Sequence, residues 1–476
     1  MRTQAEEPST AQDQRSGLPP WLLLVLPGLL LSFLSLRVVA PVTDPDTYWH
    51  IASGDHLRRT WDFVLDDPFG AAAEKPWILN QWLPQLAMSV ADEVAGLPGV
   101  VWLTVLGTLA VMATYYVACR RRSSALVATL IVAVAFLATS GSIAPRPQLV
   151  TFALTAVVTD AWLRTTVDHK PRWWLMPLTW LWACSHGMWF MGIVVGGATL
   201  LGLAASRRVD LRAAFRLALI PLASLVAAAV TPVGPVLLTS PFQVSGVTAY
   251  ITEWQPPSAN DPAFLAALGL ILIVVVDAAR NRQGRASYVV LLTVLAFVLA
   301  VAYARTAGVA AAIVAPLSAA GLTRLARQPA PTVSHRENQV TAGFGIVALA
   351  VAAVMVPTVA ARPGLGANEL DAEIAALPVG TVVCNDWLDG GWLIWKHPNV
   401  RVTMDSRVEI YSVDHIRGYS AFVNAGKGWE AYLAENSCTV ALLRTDSAIA
   451  HVLVAHAGEG GATTRGGHVL LRGLGD

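Results

Sequence analysis

The run LPGVVWLTVLGTLAVMATYYVACRRR, residues 97–122, decides the fold class. It is apolar from 97 to 118 and ends on Arg120-Arg121-Arg122. A spanning helix needs about 20 mostly apolar residues, and Lys and Arg gather in the loops on the cytoplasmic side. Both signals stand here within one helix length. Outward from this stretch, similar runs cover 19–40, 124–142, 149–165, 173–184 and 188–205. Others cover 215–231, 262–279, 286–304, 306–323 and 340–360. The pattern predicts a polytopic all-α membrane domain of about eleven transmembrane helices. The span over 173–184 is short and Trp-rich.

Basic residues recur in every second loop. They fall at Arg120 to Arg122, at Arg164, Lys170 and Arg172, and at Arg207, Arg208 and Arg212. They return at Arg280, Arg282 and Arg285, then at Arg324, Arg327 and Arg336. The intervening loops hold the isolated Arg146 and Arg305 and a few more in the long first loop. The positive-inside rule then makes the tail 1–18 cytoplasmic. It places the loop 41–96 and residues 361–476 outside, in a multi-pass protein of the cell membrane. Composition agrees: 55% of the 476 residues are hydrophobic and 14% charged, against about 25% charged in soluble domains. No nucleic-acid partner is expected. The run 21–40 is long for a signal peptide. Although Val38-Val39-Ala40 could be cleaved after, a retained anchor is preferred, because it keeps the next motif at the membrane.

After Pro363 the composition becomes that of a soluble domain. Asn368 can cap a helix over ELDAEIAALP. GTVVCND, VRVTMD, CTVALLR and HVLLRG read as strands. Between them lie a turn at Asp389-Gly390-Gly391, the aromatic WLIW, and helices over VDHIRGYSAF, GWEAYLAEN and DSAIAHVLVAHA. The alternation predicts a small α/β domain over 361–476 with a mainly parallel sheet. Four Cys form no metal or redox pattern. Cys384 and Cys438 could pair or remain buried free thiols.

Four constellations carry chemistry. The first is Asp44-Pro45-Asp46-Thr47-Tyr48-Trp49-His50, where the first helix leaves the membrane. Two carboxylates two residues apart can converge on one polar group, and in a partly desolvated site one can act as a general base. The same pair could hold a divalent cation, magnesium or manganese. Alternatively, Asp46 caps a helix from Thr47 to Arg59 that lies in the membrane interface, as would a segment over 81–94. Asp62, Asp66, Asp67 and Glu74 share this loop, and Trp61, Trp77 and Trp82 read as membrane-surface anchors. The second is His186 after Cys184-Ser185, at the outer end of the fifth span. The third is Arg146 with Arg305, charges against the positive-inside trend. Arg forms bidentate pairs with phosphate, so both suit a lipid-phosphate headgroup; a salt bridge to an outer carboxylate would also explain them. The fourth is Glu253 beside Trp254 in the loop 231–261.

Several blocks together resemble a bacterial family of polytopic membrane proteins. They are DPDTYWHIASGDHLRR from Asp44, NQWLPQ from Asn80, LWACSHG from Leu181, TPVGPVLLTSPF from Thr231, ITEW from Ile251, YARTAG from Tyr303, and CNDWLDGGWLIWKHPNVRVTMDSRVEIY from Cys384. That family is similar to the GT-C glycosyltransferase superfamily. The resemblance covers nearly the whole chain. It implies a GT-C-like membrane domain over 19–360, a polyprenyl-phosphate sugar as donor, and catalytic carboxylates in the first outer loop, which map to Asp44 and Asp46. The chain departs from the pattern at His186, where the family's central His usually follows an Asn.

The resulting expectation is a membrane glycosyltransferase that moves a hexosyl or pentosyl group onto an envelope glycan, lipid or protein. Asp44 or Asp46 would take the acceptor proton, and His50, Arg146, His186, Glu253 and Arg305 would bind substrate. Membrane lipid is the surrounding partner. The competing readings are a non-catalytic envelope protein and a transporter. Against the latter, no internal repeat is visible, and Asp160 and Asp277 sit near cytoplasmic helix ends.

Overall fold

The computed structural model describes residues 20–243, 246–329, 332–456 and 461–474. The tail over 1–18 lies outside them. Each expected span coincides with a helix: Pro20–Leu36, Leu97–Arg120, Ala125–Ser140, Gln148–Asp168, Leu175–Ala183, Gly187–Ala205, Leu211–Ala229, Pro262–Arg280, Ser287–Ala302, Ala307–Leu325 and His335–Val359. By length and composition, 6 helices among the described residues can cross a membrane. The helix Leu175–Ala183 corrects the span over 173–184. It has 9 residues, a rise of about 14 Å, under half of a hydrocarbon core about 30 Å thick.

The helix Ala307–Leu325 lies at the centre of the bundle, and most of it is buried. Its sequence, AGVAAAIVAPLSAAGLTRL, is dominated by small residues that let neighbouring backbones approach. Gly308 packs against the Phe152 ring. At the Arg-rich end, charges are paired across helices. Arg120 holds Glu337 at 2.6 Å, Arg121 and Arg122 both bind Asp160, and Arg324 binds Asp277. Asp160 and Asp277 therefore act as ties between helix ends.

The first long loop folds inward. Helix Pro45–Thr60 is buried from Thr47 to Gly54, packed between helix Trp82–Ala95 and the C-terminal helix Trp387–Lys396. This corrects the interfacial placement of 47–59. A Cβ on Gly54 would lie 2.1 Å from the Gln85 carbonyl oxygen, so the two helices touch backbone to backbone. Trp77 and Trp82 are core residues and not membrane anchors, while Trp61 is exposed. Short strands β1 (Val64–Leu65) and β2 (Trp77–Ile78) pair antiparallel in the same loop.

The C-terminal sheet contains β3 (Thr381–Asn385), β4 (Val400–Val402), β5 (Val440–Arg444), β6 (Ala462–Arg465) and β7 (His468–Arg472). Its order is β4-β3-β5-β7-β6. The β4-β3 and β3-β5 pairs are parallel, and β5-β7 and β7-β6 antiparallel. The sheet is thus mixed, with β6 an added strand beyond those expected. Asn368 does not cap a helix through its side chain; its amide donates to the Leu365 and Gly366 carbonyls. The expected turn at Asp389-Gly390-Gly391 is instead the first half of helix Trp387–Lys396. The glycines serve close approach. Cβ atoms there would lie 2.3 Å from the Met404 carbonyl oxygen and 2.2 Å from that of Pro45. Cys384 and Cys438 form a disulfide.

A buried charge triad fastens the first loop to this domain. Arg407 is fully buried, with Nη1 donating to Asp67 at 2.7 Å and Nη2 to Asp405 at 2.7 Å. The Tyr411 hydroxyl also donates to Asp405, at 2.9 Å.

Candidate active site

Where the first loop, the ends of the membrane helices and the C-terminal domain meet, they enclose a cavity of about 730 Å³. That volume lies within the usual range for ligand sites, about 300–1,000 Å³. Asp46, His50, Arg146, His186, Glu253 and Arg305 all line it. Asp44 stands directly behind them, bonded to Arg146.

Local sequence explains how the carboxylates are held. Asp44 is the N-cap of helix Pro45–Thr60 and accepts the Asp46 backbone N–H at 2.9 Å. Pro45 follows as the first helical residue, its fixed φ suited to a helix start. The cap is therefore Asp44, and Asp46 sits in the first turn with its side chain at the cavity. The Trp49 indole N–H donates to Asp46 at 3.3 Å and to the Ser406 hydroxyl at 3.0 Å.

Arg146 sits in the Pro145-Arg146-Pro147 connection and gathers three acids. Its Nε donates to Asp44 at 2.5 Å, and its Nη1 lies 3.0 Å from both Asp46 and Glu253. Arg305 meets Glu253 at 3.4 Å, donates to the Gln148 side-chain oxygen at 3.1 Å and lies over the Trp254 ring. Its Nε is buried without a partner, as is the Gln148 amide nitrogen. These two donors remain unused beside the cavity.

Two histidines complete the wall. The His186 Nδ1 accepts the Met188 backbone N–H at 3.3 Å and lies 2.9 Å from the Thr151 hydroxyl. Thr151 accepts the Trp182 indole N–H at 2.8 Å, which turns its own proton toward His186. Nδ1 is thus an acceptor, and Nε2 carries the ring proton. His50 is bonded at Nδ1 to the Gln85 amide, 3.1 Å away, and tilts against the Trp49 ring. Burial pushes His50 down to about 3, so it is neutral.

The adjacent acids titrate apart. Burial raises Asp44 despite Arg146 beside it. Burial would raise Asp46 too, but the Arg146 charge, together with the Ser406 hydroxyl and the more distant Arg305, holds Asp46 below the usual range. Among the described residues no three His, Cys, Asp or Glu side chains are arranged to hold a metal ion. A guanidinium already binds Asp44 and Asp46, so the pair does not fit the divalent-cation site that the sequence allowed.

Sequence reasoning named Trp254 beside Glu253 but missed Gln148, Tyr303, Trp387 and Glu409, all at this cavity. Tyr303 stood in the block YARTAG, and Trp387 and Glu409 in CNDWLDGGWLIWKHPNVRVTMDSRVEIY, with no spacing that set them apart.

Solved structures share the fold. The structure matches the apo oligosaccharyltransferase of Archaeoglobus fulgidus with a TM-score of 0.57 and 12% identity, over 90% of this chain and 69% of that one. It matches ArnT from Cupriavidus metallidurans, solved with undecaprenyl phosphate, with a TM-score of 0.50 and 13% identity, over 96% of this chain and 98% of that one. The fold is GT-C-like. At these identities the likeness is one of fold. No protein-family model and no curated protein matches the sequence.

Proposed function

We propose that the protein is a membrane glycosyltransferase that takes its sugar from a polyprenyl-phosphate donor and passes it to a hydroxyl acceptor outside the cytoplasm. The observation that carries this reading is the single cavity in a GT-C-like fold that gathers Asp46, His50, His186, Glu253, Arg146 and Arg305. The undecaprenyl phosphate in ArnT supports the donor class. The Arg-rich loops support an outward-facing cavity, as does the Cys384–Cys438 disulfide, a bond of oxidising compartments.

In this reading the donor phosphate lies against Arg305, whose free Nε and the free Gln148 amide donate to it. The His186 Nε2–H is a further neutral donor. Charge-assisted bonds of this kind stabilise the leaving phosphate as the glycosidic bond breaks. Asp46, kept ionised by Arg146, faces the positive charge that grows on the sugar ring. Both sequence-predicted acids are tied to Arg146, so Asp46 acts through its charge and Asp44 by fixing Arg146 and the helix start. Arg146 itself organises the acids.

The test uses the full chain in lipid nanodiscs with undecaprenyl phosphate carrying labelled pentose or hexose. Wild type should bind undecaprenyl phosphate and release or transfer sugar. Asp46→Asn should keep the lipid and lose about 10²–10³-fold in rate, the scale for removing one electrostatic contact to a transition state. A wild-type protein inert toward every such donor would sink the reading in favour of a non-catalytic envelope protein.

A further inference from the structure

A glycosyl transfer needs a group that takes the acceptor proton, and the carboxylates of the membrane half are poorly placed to do so. Asp44, Asp46 and Glu253 each lie within ion-pair distance of an arginine. A carboxylate neutralised in that way is a weak base. The cavity has one further acidic wall, contributed by the C-terminal domain. There, Glu409 stands on the short turn Val408–Ile410. Among the described residues it makes no ion pair and no hydrogen bond to another residue.

Its backbone is nevertheless fixed on both sides. The Ile410 carbonyl accepts the backbone N–H groups of Glu74 and Lys75 at 3.0 and 3.1 Å. Two residues before Glu409, Arg407 is locked by Asp67 and Asp405. A carboxylate without a partner, on a turn clamped at both ends, aimed into the cavity that holds Arg305 and Asp46, is positioned without being neutralised. The wall around it differs from the arginine wall: Trp387, Ile416, Tyr419 and Ser420 of the same domain present aromatic, apolar and hydroxyl surface.

We propose that Glu409 is the general base and that the acceptor hydroxyl docks against the C-terminal-domain wall. The inference rests on the glycosyltransferase reading above. The acceptor O–H gives its proton to the Glu409 carboxylate while the oxygen lone pair forms the bond to the anomeric carbon. The bond from that carbon to the phosphate oxygen breaks, and its electron pair leaves with the lipid phosphate beside Arg305. Glu409 then returns the proton to water. Attack from the face of the sugar away from the leaving phosphate gives inversion at the anomeric carbon.

The charged groups that act on Glu409 are Asp46 on helix Pro45–Thr60, Arg305 on the turn Ala304–Thr306, and Arg407 and Asp405 on its own segment. Burial raises the carboxyl to about 7, near the value a base needs at neutral pH. The protonated form is inactive, so the rate should rise with pH up to about 7 and then level.

The experiment measures release of labelled sugar from undecaprenyl-phosphate donors to water, and binding of undecaprenyl phosphate, against pH, on the full chain. Glu409→Gln should lower the plateau rate by about 10²–10⁴-fold and abolish the rising limb, with lipid binding unchanged. Glu409→Asp should keep part of the rate and a rising limb. A Glu409→Gln protein that keeps the wild-type rate and pH profile would overturn the inference alone, and so would one that loses lipid binding along with rate. Wild type that releases no sugar from any donor would overturn the proposed function and this inference with it.

Discussion

Replacing Arg146 with Met removes the only cation within ion-pair distance of Asp44 and Asp46 among the described residues. The side chains of Arg146, Asp44 and Asp46 keep 15%, 10% and 17% of their exposure, so water screens them little. Stranding a buried charge costs about 3–5 kcal/mol. The third acid, Glu253, is 42% exposed and keeps Arg305, so its share is under about 1 kcal/mol. The expected loss is therefore about 3–5 kcal/mol at neutral pH. Its pH dependence identifies its origin. In the wild type Asp46 titrates below its ordinary range, so its contribution is present above that range and lost as pH falls through the lowered value. In Arg146→Met the bare acids titrate high, so that protein loses stability as pH rises. The gap should widen from about pH 4 to pH 7. Asp44, raised by burial even in the wild type, works the other way and trims the effect. Thermal unfolding in nanodiscs, followed through the 17 Trp, reads the gap. Adding Asp44→Asn and Asp46→Asn to Arg146→Met should recover most of the loss, because neutral replacement of a whole cluster costs little. A loss that is the same at both pH values, or unrelieved in the triple variant, would refute the electrostatic account.

Arg305→Ala should weaken undecaprenyl phosphate binding by about 10–150-fold, the equivalent of one charged hydrogen bond, as measured by titration into nanodiscs; unchanged affinity removes Arg305 from the phosphate site. Cys384→Ser with Cys438→Ser opens a crosslink spanning 54 residues, and should destabilise the C-terminal domain by up to about 4 kcal/mol in denaturant titrations; no change would show that the sheet holds without it. A cysteine at the exposed Lys427 should react with an impermeant reagent from outside, and one at the exposed Arg212 only after permeabilisation. The native free thiols, Cys119 and Cys184, are buried and should stay silent. Labelling of both introduced sites from one side would refute the orientation.

The membrane half was legible because its signals are additive along the chain. Apolar length and Arg position need no knowledge of contacts, and every expected span coincides with a helix. The span over 173–184 failed on length alone, since Trp-rich sequence reads as apolar whether or not it crosses. The site was legible in part. Asp46, His186 and Arg305 were suspect as polar groups in costly places, and they share one cavity. Glu409 and the Asp67–Arg407–Asp405 triad were not legible. Their meaning depends on contacts between residues 340 positions apart, which no local period encodes. Gly390 and Gly391 misled for a related reason. Glycine commonly marks a turn, but here it is the only residue small enough for two backbones to touch.

The Asp67–Arg407 contact also imposes an order on biosynthesis. Asp67 is translated 340 residues before Arg407, and both side chains are fully buried when paired. Until the domain that carries Arg407 is made, the first loop carries an acid whose burial would cost several kcal/mol, so it stays hydrated and unclamped. The Ile410 carbonyl that anchors Glu74 and Lys75 is likewise missing until then. A nascent or truncated chain therefore has no finished cavity, however well its helices have inserted. The cavity is therefore completed only once the domain that carries Arg407 has folded back onto the loop.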